Sequence, residues 1–222
     1  MANEALEKLR GALSDVPAEA WEKLEAMAAL HREWNAKINL VSRKDIDALE
    51  RHHYAPCLAA GTFLRLMAGA RVLDVGTGGG FPGLLLAVLF PQAHFTLVDS
   101  VAKKIRVVAD IAGKLALKNV ETRIARVETL NSHFDFVTGR AVTNLPAFFG
   151  FVKKLIRPGR KNSPANGILY WKGGSFVEES AALGVAPAKI VSLETVFGDA
   201  YFAEKFILHY AYSDVFRART PR

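Results

Sequence analysis

The sequence is short of cysteine. Cys57 stands alone among 222 residues, which excludes an internal disulfide and a zinc site built on cysteines. A reducing cytoplasm is the expected compartment. Long hydrophobic runs are missing as well. The longest, Gly83 to Phe90, is far below the ~20 apolar residues that cross a bilayer, so no membrane association is expected. The N-terminus carries Glu4, Glu7, Lys8 and Arg10 without an apolar stretch, and no signal peptide is expected. There is no repeat of fixed period and no low-complexity tract. The histidines (His31, His52, His53, His94, His133 and His209) form no ligand pair at helical spacing, so no metal is expected. What remains is an ordinary folded composition, 50% hydrophobic and 23% charged, of a size for one domain with a modest extension.

One further shortage is local. Between Phe136 and Val177 there is no acidic residue, but seven basic ones: Arg140, Lys153, Lys154, Arg157, Arg160, Lys161 and Lys172. Residues 1–66 are nearly neutral, with nine Lys/Arg and ten Asp/Glu, so the net charge of +7 lies entirely in the rest of the chain. A clustered basic surface attracts polyanions. Lys153, Lys154, Arg157, Arg160, Lys161 and Lys172 are therefore candidate RNA contacts. The competing reading is a solvated surface.

Residues 3–43 read as two helices broken at Val16-Pro17. Leu6, Leu9 and Leu13 share one face, and Trp21, Leu24, Met27, Ala28 and His31 another. A third helix is expected over Lys44–Leu66, interrupted or restarted at Pro56. The pattern changes at Arg71. Short β-rich runs at 71–75, 94–98, 121–124, 134–138 and 167–171 alternate with helical stretches at 84–90, 103–117 and 145–156. This is the pattern of an α/β chain, a parallel sheet covered on both faces. Residues 190–196 and 205–212 read as an antiparallel pair at one edge. The expected organisation is a helical extension over 1–66 and a Rossmann-like domain over 67–222.

The most informative segment is Val72-Leu-Asp-Val-Gly-Thr-Gly-Gly-Gly-Phe-Pro-Gly83. A glycine-rich turn from strand to helix lets a ligand approach the backbone, and the helix start offers free N–H groups. Five glycines between Gly76 and Gly83 exceed what a merely tight turn needs. Gly78, Gly80 and Gly83 match the dinucleotide fingerprint literally. Asp74, two residues before Gly76, favours S-adenosylmethionine (AdoMet) instead, because an acid there suits the cofactor's ammonium and repels a pyrophosphate. Asp99 ends the second strand, 23 residues after Gly76, where a carboxylate accepts hydrogen bonds from ribose hydroxyls. It serves either nucleoside.

Several stretches together resemble one family. They are Trp34–Val41, Arg51-His52, Leu73–Gly83, Phe95–Ser100, Arg126-Val-Glu128, Gly139-Arg-Ala141 and Lys172-Gly173. The sequence resembles the bacterial 16S ribosomal RNA guanine-N7 methyltransferase G family, also called glucose-inhibited division protein B. The resemblance implies a class I AdoMet methyltransferase fold and methyl transfer to guanine N7 of 16S ribosomal RNA on the small subunit, by a cytoplasmic monomer. It also implies cofactor contacts at Gly76, Phe81, Val127, Glu128 and Arg140, to which the loop and second strand add Gly78 and Asp99. The chain departs from the family where relatives commonly read Arg-His-x-x-Asp-Ser; here the run is Arg51-His-His-Tyr-Ala-Pro-Cys57. Lys205 stands where many members carry an arginine.

No catalytic residue is assigned, because N7 carries a lone pair and no proton. Two alternatives stand beside this reading. Asn144-Leu-Pro-Ala-Phe148 faintly resembles the motif of exocyclic-amine methyltransferases, although Asn144 also suits a helix cap. A non-catalytic RNA-binding or ribosome-assembly module would share the basic surface without binding AdoMet.

Overall fold

The computed structural model describes residues 4–42, 45–174 and 176–220. Its centre is a seven-stranded sheet of order β3-β2-β1-β4-β5-β7-β6. The strands are β1 (Arg71–Val75), β2 (His94–Asp99), β3 (Val120–Ile124), β4 (Phe136–Arg140), β5 (Gly167–Gly173), β6 (Lys189–Ser192) and β7 (Lys205–Ala211). The first five are parallel, and β7 runs antiparallel between β5 and β6. The chain winds outward from β1 to β3, then crosses back to β4. The carboxyl ends of β1 and β4 thus flank the crevice where ligands bind in open α/β sheets.

Alternation along the strands builds two cores. Val72, Phe136, Leu169, Trp171 and Ile207 face one side of the sheet, with α1 (Glu4–Ala12), α2 (Ala18–Lys37), α3 (Ala55–Leu58), α4 (Gly83–Leu89) and α5 (Ala102–Lys114). Leu73, Val137, Ile168, Tyr170 and Leu208 face the other, with α6 (Leu145–Val152), α7 (Val177–Leu183) and α9 (Tyr212–Arg217). Helix α8 (Leu193–Phe197) lies between β6 and β7. Leu9, Leu13, Leu24 and Met27 belong to the same cluster as Leu84 and Phe95. Residue 66 therefore marks a change of secondary structure within one continuous core.

The expected helix over 44–66 is not a single helix. Arg43 and Lys44 lie outside the described residues. Asp45–Ala48 form turns, Glu50–Tyr54 a π-helical turn, then come α3 and a 3₁₀ turn over Ala59–Thr62. The expected antiparallel pair at the edge is present as β6 and β7, shortened because Ser192 caps α8 by accepting from Thr195 N. Helix α7 was not read from the sequence. It is seven residues long, too short for a clear helical period, and stops at Gly184 in the left-handed region.

Candidate cofactor and acceptor site

The glycine loop follows β1 directly. Asp74, the next-to-last residue of β1, is fully enclosed and organises the loop from behind. Its Oδ2 accepts from Thr77 Oγ1 at 2.6 Å and Gly83 N at 3.0 Å, and its Oδ1 from Thr138 Oγ1 at 2.7 Å. Burial pushes its pKa up to about 6, against the pull of these three donors. The carboxylate expected to meet the cofactor's ammonium thus spends its hydrogen bonds on the protein. It shapes the loop, and a cofactor would feel it only through the field. Gly83 is required here, since a Cβ would lie 2.7 Å from Asp74 Oδ2.

On the open side of the loop the geometry differs. Gly78 has φ +57°, and a Cβ there would meet only Gly76 O, at 3.9 Å. Its N–H donates to Asp99 Oδ2 at 3.0 Å, while Asp99 Oδ1 accepts from Val101 N at 2.8 Å. This leaves lone pairs of both carboxylate oxygens at the end of β2. The chain after β3 returns to the same point, with Ala125 N donating to Asp99 O. Val127 is buried and Glu128 exposed on the short 3₁₀ turn that follows. Gly76, Gly78, Asp99, Val127 and Glu128 therefore lie together at the carboxyl ends of β1, β2 and β3.

Phe81 and Arg140 turn toward the N-terminal helices and the π-helical turn. The Phe81 ring is buried under residues of the N-terminal helices, stacked on His31 at 4.8 Å and 5.2 Å from His53. His31 also bonds Gly79 O through Nε2 at 2.7 Å and Tyr54 Oη through Nδ1 at 2.7 Å. Burial lowers its pKa to about 4, so the ring is neutral. The helical extension thereby holds the loop by its backbone. Arg140 turns to the same region. It donates to His52 O at 2.9 Å, His53 O at 3.1 Å and His53 Nδ1 at 3.2 Å. These carbonyls belong to the π-helical turn. Among the described residues no carboxylate pairs with Arg140. Burial and this guanidinium drive the pKa of His53 down to about 3. Its Nδ1 accepts from Arg140, so the proton sits on Nε2, which is buried without a partner.

These features fit AdoMet. A glycine opening and a ribose-ready carboxylate stand at one end. At the other are a guanidinium without a counter-ion among the described residues and an orphaned N–H, which suit an anionic group.

Beyond the ends of β4 and β5 opens a cleft of about 340 Å³ lined by His52, Arg140, Trp171, Lys172, Tyr201 and Lys205, among others. Lys172 is paired with Glu179 at 2.7 Å. The other expected RNA contacts lie elsewhere. Arg157 forks onto Asp135 at the amino end of β4, in the same long connection that carries Arg160 and Lys161. Lys153 and Lys154, at the end of α6, donate to Ala218 O and Glu128 O. The stretch that is acid-free in sequence meets acids in space, and its charges divide between the two ends of the strands. Asn144 accepts from Ala147 N at 2.9 Å as the N-cap of α6, so the amine-methyltransferase motif loses its key side chain to a cap. Phe148 and Phe149 are fully buried in the core. Among the described residues no cluster of three or more His, Cys, Asp or Glu is placed to hold a metal, and no helix is long and apolar enough to cross a membrane.

Sequence reasoning missed the roles of His31, Thr77 and Thr138 behind the loop. It weighed His52 and His53 only as metal ligands. Their one signal was the Arg51-His52 run.

Comparison with known proteins agrees with this geometry. Among solved structures, geranyl diphosphate C-methyltransferase from Streptomyces coelicolor A3(2) matches with a TM-score of 0.54 at 14% identity, over 75% of this chain and 81% of that one. A fibrillarin/Nop5p complex chain matches with a TM-score of 0.51 at 13% identity, over 71% and 79%. These show the class I methyltransferase fold. The ribosomal RNA small subunit methyltransferase G of Flavobacterium psychrophilum is 45% identical over 89% of this chain and 92% of its own length. That of Bacteroides thetaiotaomicron is 40% identical over 88% and 94%. The family pattern described as rRNA small subunit methyltransferase G matches residues 20–184. With a glycine loop closed from behind by Asp74 and this likeness along nearly the whole chain, the protein belongs to the rRNA small subunit methyltransferase G family.

Proposed function

We propose that the protein transfers a methyl group from AdoMet to N7 of a guanine in 16S ribosomal RNA, acting on the small subunit as a cytoplasmic monomer. The observation that supports the cofactor most directly is the loop's ligand side. There a Cβ at Gly78 would touch nothing closer than Gly76 O at 3.9 Å, and the Gly78 N–H is tied to Asp99. When bound, AdoMet supplies an electrophilic methyl on a sulfonium. The protein's part is placement, since alignment of donor and acceptor is the main lever on such a displacement. Gly76 and Gly78 admit the cofactor to the backbone, Asp99 orients the ribose, and Val127 and Glu128 border the adenine. The Arg140 charge and the His53 Nε2–H would hold the methionine carboxylate. Phe81 holds the loop under the N-terminal helices. Guanine N7 attacks with its lone pair, and no side chain needs to remove a proton.

The RNA grip is narrower than the acid-free stretch suggested. Lys172 and Lys205 stand at the cleft, at the cofactor's end of the strands. Arg157, Arg160 and Lys161 lie toward the amino ends of the strands, while Lys154 reaches Glu128 O. Calorimetric titration tests the cofactor: AdoMet binds one to one and NAD does not. Binding of NAD without AdoMet would overturn the reading, and binding of neither would favour the non-catalytic alternative.

A further inference from the structure

The cleft beyond β4 and β5 has a chemistry that the cofactor does not use. Its wall is a column of rings and cations. His52 lies flat on Tyr201 with centroids 4.4 Å apart and planes at 10°. The Lys205 ammonium sits 4.1 Å and the Arg51 guanidinium 4.6 Å from the Tyr201 ring centre. Arg51 is itself fixed by a forked pair with Asp199, at 2.6–3.1 Å. The wall is therefore braced from both ends of the chain. Among the described residues neither Lys205 nor Arg140 has a carboxylate partner, so the cleft is a place for an anion beside aromatic surface. At about 340 Å³ it falls in the range of small-molecule pockets, the size of one nucleotide and too small for a helix of RNA.

His52 adds a directional element. Its Nδ1 is 2.8 Å from Asp45 Oδ1. Asp45 also accepts from Ser42 Oγ, and both bonds favour its ionised form. An ionised carboxylate only accepts, so Nδ1 carries the hydrogen and Nε2 keeps its lone pair. Nε2, across the ring from Asp45, has no hydrogen bond to a described residue. The cleft thus combines the Lys205 ammonium, which has no carboxylate partner among the described residues, with an acceptor at His52.

We propose that this cleft receives the target guanine after it has swung out of the RNA, and that His52 Nε2 accepts from its N1–H and 2-amino edge. The assignment rests on the proposed guanine-N7 reading. With N7 turned to the methyl group, the base leaves O6 as an acceptor and N1–H and the 2-amino group as donors. Cations serve O6 and the flanking phosphate, and the locked histidine serves the donors. An adenine in the same position presents an N1 lone pair to that nitrogen and is repelled. Extrusion of the base follows from the size of the cleft, as in other enzymes that must reach an atom inside a folded nucleic acid.

Two variants separate this role from a structural one. His52→Phe keeps a flat ring against Tyr201 and removes the acceptor. Asp45→Ala removes the acceptor that fixes the ring hydrogen on Nδ1, so Nε2 is no longer held as the acceptor. Both are compared with the wild type for AdoMet affinity by calorimetry and for single-turnover methyl transfer to small ribosomal subunits lacking the modification. The expected result is wild-type AdoMet affinity with transfer slowed about tenfold or more in each variant. Transfer at the wild-type rate in either variant overturns the assignment. So does a loss of AdoMet affinity that matches the loss of rate, since His52 would then only support the fold. A wild-type protein that binds no AdoMet or methylates no subunit would strike the proposed function itself.

Discussion

At the scale of single residues, two carboxylates near the glycine loop do different work. Asp99 sits on the ligand side and bonds the loop through Gly78 N. Asp99→Ala is expected to weaken AdoMet binding by about 1–3 kcal/mol, the cost of losing hydrogen bonds to a charged group. An unchanged dissociation constant in calorimetry would make it a loop anchor alone. Asp74 is enclosed, and its pKa in the folded state is raised to about 6 from 3.8. The folded protein therefore holds this proton more tightly than the unfolded chain. The associated stability is complete below pH 4 and disappears as pH rises through 6. Relative to wild type, Asp74→Asn should gain stability between pH 4.5 and 7, on the order of 2–3 kcal/mol. Urea midpoints at those two values check the trend, and parallel curves would contradict it. Both aspartates were legible in sequence by spacing. Which one faced the ligand was not, because Thr138 and Gly83 reach Asp74 from later parts of the chain.

At the scale of elements, α6 shows how a motif resolves into a local interaction. Asn144 caps the helix, and Pro146 fits its first turn. Asn144→Ala should lower stability by ~1 kcal/mol and leave methyl transfer unchanged. A fall in rate by orders of magnitude without loss of stability would restore the amine-methylating role. The parallel strands and their helices were readable because buried β-rich runs and amphipathic helices have distinct periods. The π-helical turn over Glu50–Tyr54 was not. Its carbonyls are drawn to Arg140, which lies nearly ninety residues further on, and no local pattern records a partner at that distance. The N-terminal helices likewise read as an extension. Their contacts with Gly79 and Phe81 make them part of the site.

For the whole molecule, charge counted along the chain misleads about charge in space. The acid-free stretch spans β4 to β5, and a parallel crossover carries its residues from the carboxyl ends of the strands to their amino ends. The connection bearing Arg160 and Lys161 lies where Met67 N bonds Asn162 and Arg65 pairs with Ser163, at the amino ends of the strands. Replacing Arg160 and Lys161 by glutamine should leave the salt dependence of subunit binding nearly unchanged. Lys205→Gln, at the cleft, should reduce the slope of log K against log salt by about one. A drop of about two in the first variant would show that the RNA embraces both ends of the strands. The central claim, methyl transfer from AdoMet to guanine N7 of 16S ribosomal RNA, is tested most directly by nucleoside mass analysis. Small subunits lacking the modification are incubated with the protein and AdoMet, and the RNA is digested and mapped. The account predicts one new 7-methylguanosine in 16S RNA, absent without AdoMet. Methylation at another atom, on protein, or on no molecule at all would contradict it.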